Sequence, residues 1–283
     1  MGSRQRKRTL KSRYGHKTQR IPKRQQVKKV KKSQVPLKLK EYFVQNPHAK
    51  WEDDFRNSCQ EGYKEIVEQL KVDQGGICCY CELNFSDSSN ARDDFRVEHF
   101  HPKSDSSDDK NWDLDWQNLF GCCHGGSDRY VLGQTRFIEE NKHRHSDVLK
   151  GSLIWDDEIL SPLEIPAYPA IFKVMSSSGE MRVIEENCPP ELKQKALNSL
   201  DEKKLNLNTP KLKEWRKAVI EKLREDVDSF VSTGVEISDA VNTIVNAQLS
   251  KDSHGNYPSF FSTVRSYFEN DSELYLRSVG YDG

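Results

Sequence analysis

Five of the seven cysteines, Cys78, Cys79, Cys81, Cys122 and Cys123, fall within 46 consecutive positions. Cys78-Cys79-Tyr80-Cys81 contains a Cys-x-x-Cys pair, whose spacing lets one tight turn aim the Cys78 and Cys81 thiolates at a single tetrahedral cation. Cys122-Cys123 supplies a second thiol source later in the chain, as in knuckles that face each other across a small ββα unit. An odd, clustered set of thiols suits a structural Zn²⁺ site, with Cys123 joining Cys78 and Cys81, better than a disulfide framework. No later Cys-x-x-Cys offers a fourth thiol, so the remaining donor is sought among histidines. His145 is the first choice and His143 the second, because His124 directly adjoins Cys123 and is poorly placed to reach the same ion. Cys59 and Cys188 read as ordinary buried thiols.

Between the thiol pairs, Val97-Glu98-His99-Phe100-His101-Pro102-Lys103 reads as a strand ending at a proline, with an acid beside a histidine. Neighbours on a strand point to opposite faces. Asn118 stands just ahead of the second thiol pair, and Asp147 ahead of Lys150-Gly151. A histidine that takes a proton from water, together with a cation that stabilises a leaving oxygen, is the layout of phosphodiester hydrolysis.

Glu98-His99 with Pro102, Asn118-Leu119, the framing cysteines and Asp147-x-x-Lys150-Gly151 resemble an HNH, or ββα-metal, endonuclease. More narrowly, residues 78–82, 98–104 and 116–126, Ser161-Pro162-Leu163 and Leu205-Asn206-Leu207-Asn208 resemble the HNH subunits of Septu-type anti-phage systems, which also occur beside retrons and accompany an ABC-type ATPase. The likeness runs from about residue 36 to about residue 231. It implies that His99 is the general base, that Glu98 and Asp147 give oxygen ligands to a Mg²⁺ or Mn²⁺ ion, and that Asn118 holds the loop or orients His99. His101, Lys103 and Lys150 are the expected contacts to DNA. The chain departs from the family in two places. Ser146 stands where a cysteine is usual, and the third HNH position is Asp147 rather than His or Asn. The distance from Asn118 to Asp147 also implies an inserted loop over residues 128–140.

The elements that must position these residues read as mostly helical. Leu37, Leu39, Tyr42 and Phe43 suggest a short helix, and Tyr63, Ile66, Val67 and Leu70 a second one stopped by Gly75-Gly76. Residues 171–184 read as a hairpin. Pro189-Pro190 opens a helix, and Thr209-Pro210 caps another with Leu212, Trp215, Val219, Leu223, Val227 and Phe230 as its apolar stripe. The fold class is therefore α+β, with a ββα-metal core between helices: a basic arm over 1–34, an N-terminal helical segment over 35–75, a nuclease domain over 76–165, and a hairpin with C-terminal helices over 166–283.

The 44 basic and 44 acidic residues cancel, but residues 1–40 hold 16 Lys or Arg and no acid, leaving 28 − 44 = −16 for residues 41–283. The basic arm cannot bury enough apolar surface to offset its ordering entropy, so it is expected to be disordered and to meet nucleic-acid phosphates. Nowhere do 18 apolar residues run together, and no secretory apolar stretch opens the chain. A cytoplasmic location and no membrane partner follow as expectations. Two other functions fit the same residues: a zinc-stabilised nucleic-acid-binding or adaptor module with a degenerate HNH site, and a stand-alone restriction-type nuclease that needs no ATPase.

Overall fold

The computed structural model describes residues 28–86 and 92–283. Residues 1–27 of the expected arm lie outside the described residues. Residues 28–34 do not behave as a solvated tail. Val30 is buried with its N–H on Pro162 O, the Lys28 N–H donates to Glu82 Oε1 at 2.9 Å, and Lys32 Nζ lies 3.3 Å from the centre of the Trp116 ring.

The N-terminal helices are α1 (Leu37–Gln45), a π-helical turn at Trp51–Phe55 continued by α2 (Arg56–Ser58), and α3 (Gln60–Gln74). Leu39, Trp51, Phe55, Ile66 and Leu70 converge with Trp116 and Leu119 in one apolar cluster, with Tyr42 and Tyr63 packed against it, whereas Leu37 and Phe43 of the expected α1 face are exposed. α3 ends where Gly75 turns to φ 63°. A Cβ there would sit 2.3 Å from the Tyr257 ring, so glycine is required both for the turn and for the packing.

α3 lies against a ribbon made of β1 (Arg96–His99) and β2 (Leu119–Cys122), antiparallel, with Glu98 opposite Phe120 and His99 opposite Leu119. The buried Gln74 amide replaces a third strand: Nε2 donates to Gly121 O at 2.8 Å and to Ile77 O at 3.0 Å, and Oε1 accepts from Gly121 N–H at 2.7 Å. Gly121 has no side chain to obstruct this, and an added Cβ would lie 2.7 Å from the Phe95 ring. From β2 to the next strand the described residues form 3₁₀ turns and no α-helix, so the helical part of the expected ββα unit is the single turn Ser146–Leu149.

The expected hairpin is β3 (Phe172–Val174) paired with β4 (Met181–Val183), and it is followed by α4 (Pro190–Leu200) and α5 (Pro210–Ser232), with Thr209 Oγ1 accepting from the Leu212 N–H. α6 (Ile237–Leu249), α7 (Phe261–Phe268) and α8 (Asn270–Ser278) complete an α+β fold that is mostly helical. The buried face of α5 is wider than the expected stripe: Trp215, Val219 and Val227 pack against the core as expected, and Arg216 and Ile220 join them. Leu212, Arg216, Ile220 and Leu223 are buried, while Phe230 is 37% exposed. One apolar cluster runs from Val30 through the cysteines and Phe120 to Phe172, Leu212 and Phe260. Among the described residues no helix is long and apolar enough to cross a membrane.

Replacing Gln74 by Ala takes the amide partner from the buried Gly121 N–H and from Ile77 O, while Gly121 O keeps the Cys79 N–H at 3.2 Å, and unpaired buried groups cost about 1–3 kcal/mol each. Gln74→Ala is expected to lower unfolding free energy by about 3 kcal/mol in urea titration; a loss below about 0.5 kcal/mol, the range of an ordinary surface substitution, would remove the assigned role.

Candidate metal centre and active site

The turn after α3 brings the first thiols together. Ile77 bridges to Asn84, the Cys78 N–H donates to Leu83 O at 2.8 Å, and Glu82 takes a left-handed φ of 64°. Glu82 is buried and accepts from the Lys28 and Ser262 N–H groups at 2.9 Å, which ties the turn to the N-terminal segment and to the start of α7. The Sγ atoms of Cys78, Cys81 and Cys123 lie within 4.8 Å of one another, as do those of Cys78, Cys79 and Cys122. The Cys123 and Gly125 N–H groups point at the Cys78 and Cys123 sulfurs, each at 3.4 Å. Burial pushes the Cys78 thiol up, but hydrogen bonds from Cys122, Cys123, Cys79 and Cys81 outweigh it and hold Cys78 well below its usual value. Three buried thiols with backbone donors aimed at them fit a borderline-soft divalent ion such as Zn²⁺.

The fourth position differs from the sequence expectation. The atom beside the thiols is Ser146 Oγ, 3.5 Å from Cys123 Sγ and 3.9 Å from Cys78 Sγ. His145 is not a member of the thiol groups; its Nδ1 meets Ser146 Oγ at 3.0 Å. The backbone changes conformation here, from extended at His145 to left-handed at Ser146, φ 61°. His143 pairs instead with Glu140 near the surface, and His124 with Asp94.

The second group of residues lines a cleft of about 950 Å³ that includes Glu98, His99, Lys103, Asp147 and Lys150. Strand alternation sends Arg96 and Glu98 to one face and Val97 and His99 to the other. On the first face Arg96 pairs with Asp147 Oδ1, which also accepts from Cys122 Sγ at 3.2 Å. Glu98 Oε1 accepts from Lys150 Nζ at 2.6 Å, and the same ammonium donates to His99 O at 2.7 Å. Burial, with Asp147 adding its charge, pushes Glu98 well above the usual carboxylate value against the opposing pull of Lys150. Two adjacent carboxylates in a cleft fit a hard divalent cation of the Mg²⁺ class.

On the second face the His99 ring meets Trp51 edge-on at 5.0 Å, and its Nε2 lies 3.1 Å from Asp113 O. A carbonyl only accepts, which assigns the ring proton to Nε2 and leaves the Nδ1 lone pair as the basic site. Burial lowers the His99 pKa to about 4, so the ring is neutral near pH 7. Asp113 holds this arrangement twice over, since its Oδ1 accepts from the Trp51 N–H and its Oδ2 from Ser106 Oγ, both at 2.7 Å. Asn118 does not touch His99. Its Oδ1 accepts from the His101 N–H at 2.6 Å and its Nδ2 donates to His101 O and Trp112 O at 2.9 Å, closing the loop that follows β1.

Two of the expected nucleic-acid contacts are placed otherwise. Lys150 is 2% exposed and spent on Glu98. His101 is buried between Asp105 and Asp156, at 2.9 and 3.0 Å, and stacks on Trp112, so neighbouring acids would repel a phosphate there. Lys103 is more open, with Nζ on Glu52 Oε1 at 2.7 Å. Trp51, Arg96 and Asp113 escape sequence reading. Arg96 carries a signal, as it lies two residues before Glu98 and so on the same strand face, but Asp113 acts on His99 through its carbonyl, which every residue possesses.

No protein-family model matches the chain. The chain is similar to a curated protein of Escherichia coli named "Retron Ec83 putative HNH endonuclease", with 31% identity over 169 residues, 57% of this chain and 64% of that protein. The match thus spans less than two thirds of the relative's length. It supports reading the motif as that of an HNH endonuclease.

The unfolded His99 titrates near pH 6.5 and the folded one near 4, so between these values the unfolded chain binds more protons and stability falls as pH falls. His99→Gln is expected to remove this component, on the order of 1 kcal/mol per pH unit, from urea midpoints compared at pH 6.5 and 4.5. Equal acid sensitivity in both proteins would show that the ring is not held neutral.

Proposed function

We propose that the chain is a metal-dependent endonuclease that hydrolyses phosphodiester bonds in DNA, with His99 as the general base. The observation that carries this reading is the His99 Nε2 contact with Asp113 O, which leaves a neutral ring with a free Nδ1 in a cleft that also holds Glu98 and Asp147. Nδ1 accepts the proton of the attacking water. Asp113 keeps the ring fixed through that transfer, and its carbonyl stabilises the imidazolium that results. Glu98 and Asp147 would hold a Mg²⁺- or Mn²⁺-class ion, whose chemistry is to stabilise charge on the phosphate and the leaving oxygen. Lys150 and Arg96 balance the paired carboxylates and fix their orientation. Lys50, Arg56 and Lys103, which line the same cleft, supply local positive charge for a phosphate backbone within residues 41–283, which are net acidic. Asn118 maintains the loop between the base and Lys103.

The resemblance to Septu-type subunits, together with the similarity to a protein named for a retron, supports a role as the nuclease of an anti-phage system partnered with an ABC-type ATPase. Because both carboxylates already engage cations, Glu98 with Lys150 and Asp147 with Arg96, a nucleic-acid-binding module without catalysis is the second reading.

In plasmid nicking with Mg²⁺ or Mn²⁺, His99→Ala is expected to lose about 10²–10⁴-fold in rate, the contribution of a positioned general base, with salt-dependent DNA binding retained. Unchanged cleavage in His99→Ala would refute the base assignment, and binding without any product in the wild type would favour the second reading. Because residues 28–34 belong to the fold, the arm is tested by removing residues 1–27. DNA affinity should fall and its dependence on salt flatten, whereas an unaltered binding curve would exclude phosphate contact by that segment.

A further inference from the structure

The thiol site has three sulfur donors from two segments of the chain, the turn of Cys78 and Cys81 and the end of β2 at Cys123, and, beside them, a hydroxyl. We propose that Ser146 Oγ is the fourth ligand of this site, with His145 as the group that orients it, giving a three-sulfur, one-oxygen Zn²⁺ centre. The proposal rests on reading the thiol cluster as a zinc site and deepens it by assigning its fourth donor.

Geometry favours the hydroxyl. In a tetrahedral zinc site with ordinary bond lengths, a sulfur and an oxygen ligand lie about 3.6 Å apart. Ser146 Oγ stands 3.5 Å from Cys123 Sγ and 3.9 Å from Cys78 Sγ. The residue is fully buried, at 0% exposure, and its left-handed backbone is fixed by the Ser146 N–H on Leu205 O at 2.8 Å. A β-carbon residue in that conformation persists only where its surroundings over-determine it. With His145 in the tautomer that carries its proton on Nε2, Nδ1 at 3.0 Å accepts the hydroxyl proton and an oxygen lone pair remains for a cation. An imidazole in this position orients the ligand without binding the metal itself. Of the remaining thiols, Cys122 lies 3.8 Å from Cys78 Sγ but groups with Cys78 and Cys79 rather than with Cys81 and Cys123, and it donates to Asp147 Oδ1 at 3.2 Å.

The test uses the full chain as purified and reads metal content, zinc-edge X-ray absorption and the rate of zinc release to a chelator, none of which depends on cleavage. The wild type should carry one zinc with three sulfurs, one oxygen and no imidazole scattering. Ser146→Cys should show four sulfurs and release zinc at least about tenfold more slowly, while His145→Gln should keep the three-sulfur, one-oxygen shell and bind zinc about 10–100-fold more weakly. Imidazole scattering that disappears in His145→Gln, four sulfurs in the wild type, or three sulfurs in a folded Ser146→Cys would each overturn the assignment. A wild type without zinc would overturn the zinc reading and this proposal with it, whereas loss of DNA cleavage in a protein with the expected shell would count against the nuclease reading alone.

Discussion

A ribbon of two four-residue strands cannot fold by itself, so the position of His99 depends on what clamps β1 and β2 to their surroundings. Three side chains stand in for the missing backbone partners. Gln74 completes the free edge of β2 at Gly121, Asn118 closes the loop after β1, and Asp113 fixes both the π-helical turn that carries Trp51 and the ring of His99. The thiols seal the far end, where Cys122 stands opposite Arg96 and Cys123 follows it. Each clamp is a fully hydrogen-bonded polar group in an apolar setting, where a lost partner is expensive and a satisfied one is rigid. Rigidity of this kind suits the role proposed for His99, which needs one ring nitrogen held toward water.

The ion pairs around Glu98 follow from the same burial. Two carboxylates side by side in a low-dielectric cleft repel, and one of them takes up a proton unless cations compensate. Lys150 and Arg96 oppose that tendency, although burial still leaves Glu98 well above its usual value, and each arrives from a different element: Arg96 from β1 itself and Lys150 from just beyond the turn Ser146–Leu149. Such pairs are poor sources of stability, since desolvation consumes most of their attraction. Their effect here is to fix orientation. Lys150 also donates to His99 O, so one ammonium joins the carboxylate strand position to the base position beside it.

Periodicity and punctuation made the helices and the second hairpin legible: the Gly75 stop, the Thr209 cap, and the turn between residues 174 and 181 all follow from single residues with strong local preferences. The α5 stripe was harder because Arg216, a charged residue, occupies a core position by donating to Leu207 O at 2.8 Å and lying 5.8 Å from the centre of the Phe260 ring. Residue type predicts burial only when polar atoms find no internal partner. For the site, Cys78, Cys81, Glu98, His99 and Asn118 could be picked out by type and spacing. The fates of Lys150, His101 and His145 could not, because each depends on an acid or hydroxyl brought in from elsewhere or on one backbone dihedral. Asp113 was illegible for a deeper reason, since its contact with the histidine is a main-chain one.

The thiol site and the cleft carboxylates meet at the peptide bond between Ser146 and Asp147. Ser146 faces the sulfurs in a left-handed conformation and Asp147 faces Arg96 and Glu98, so the dihedrals that set one set the other. Cys122 reinforces the junction by donating to Asp147 Oδ1 while lying 3.8 Å from Cys78 Sγ. A movement of the thiols therefore reaches the carboxylate through two routes, one along the chain and one through a side-chain hydrogen bond. Without a long α-helix to carry Asp147, this short connection is what holds it against β1. The thiol cluster and the Asp147 carboxylate are in this sense one unit, and the hydroxyl at position 146 stands where the two halves meet.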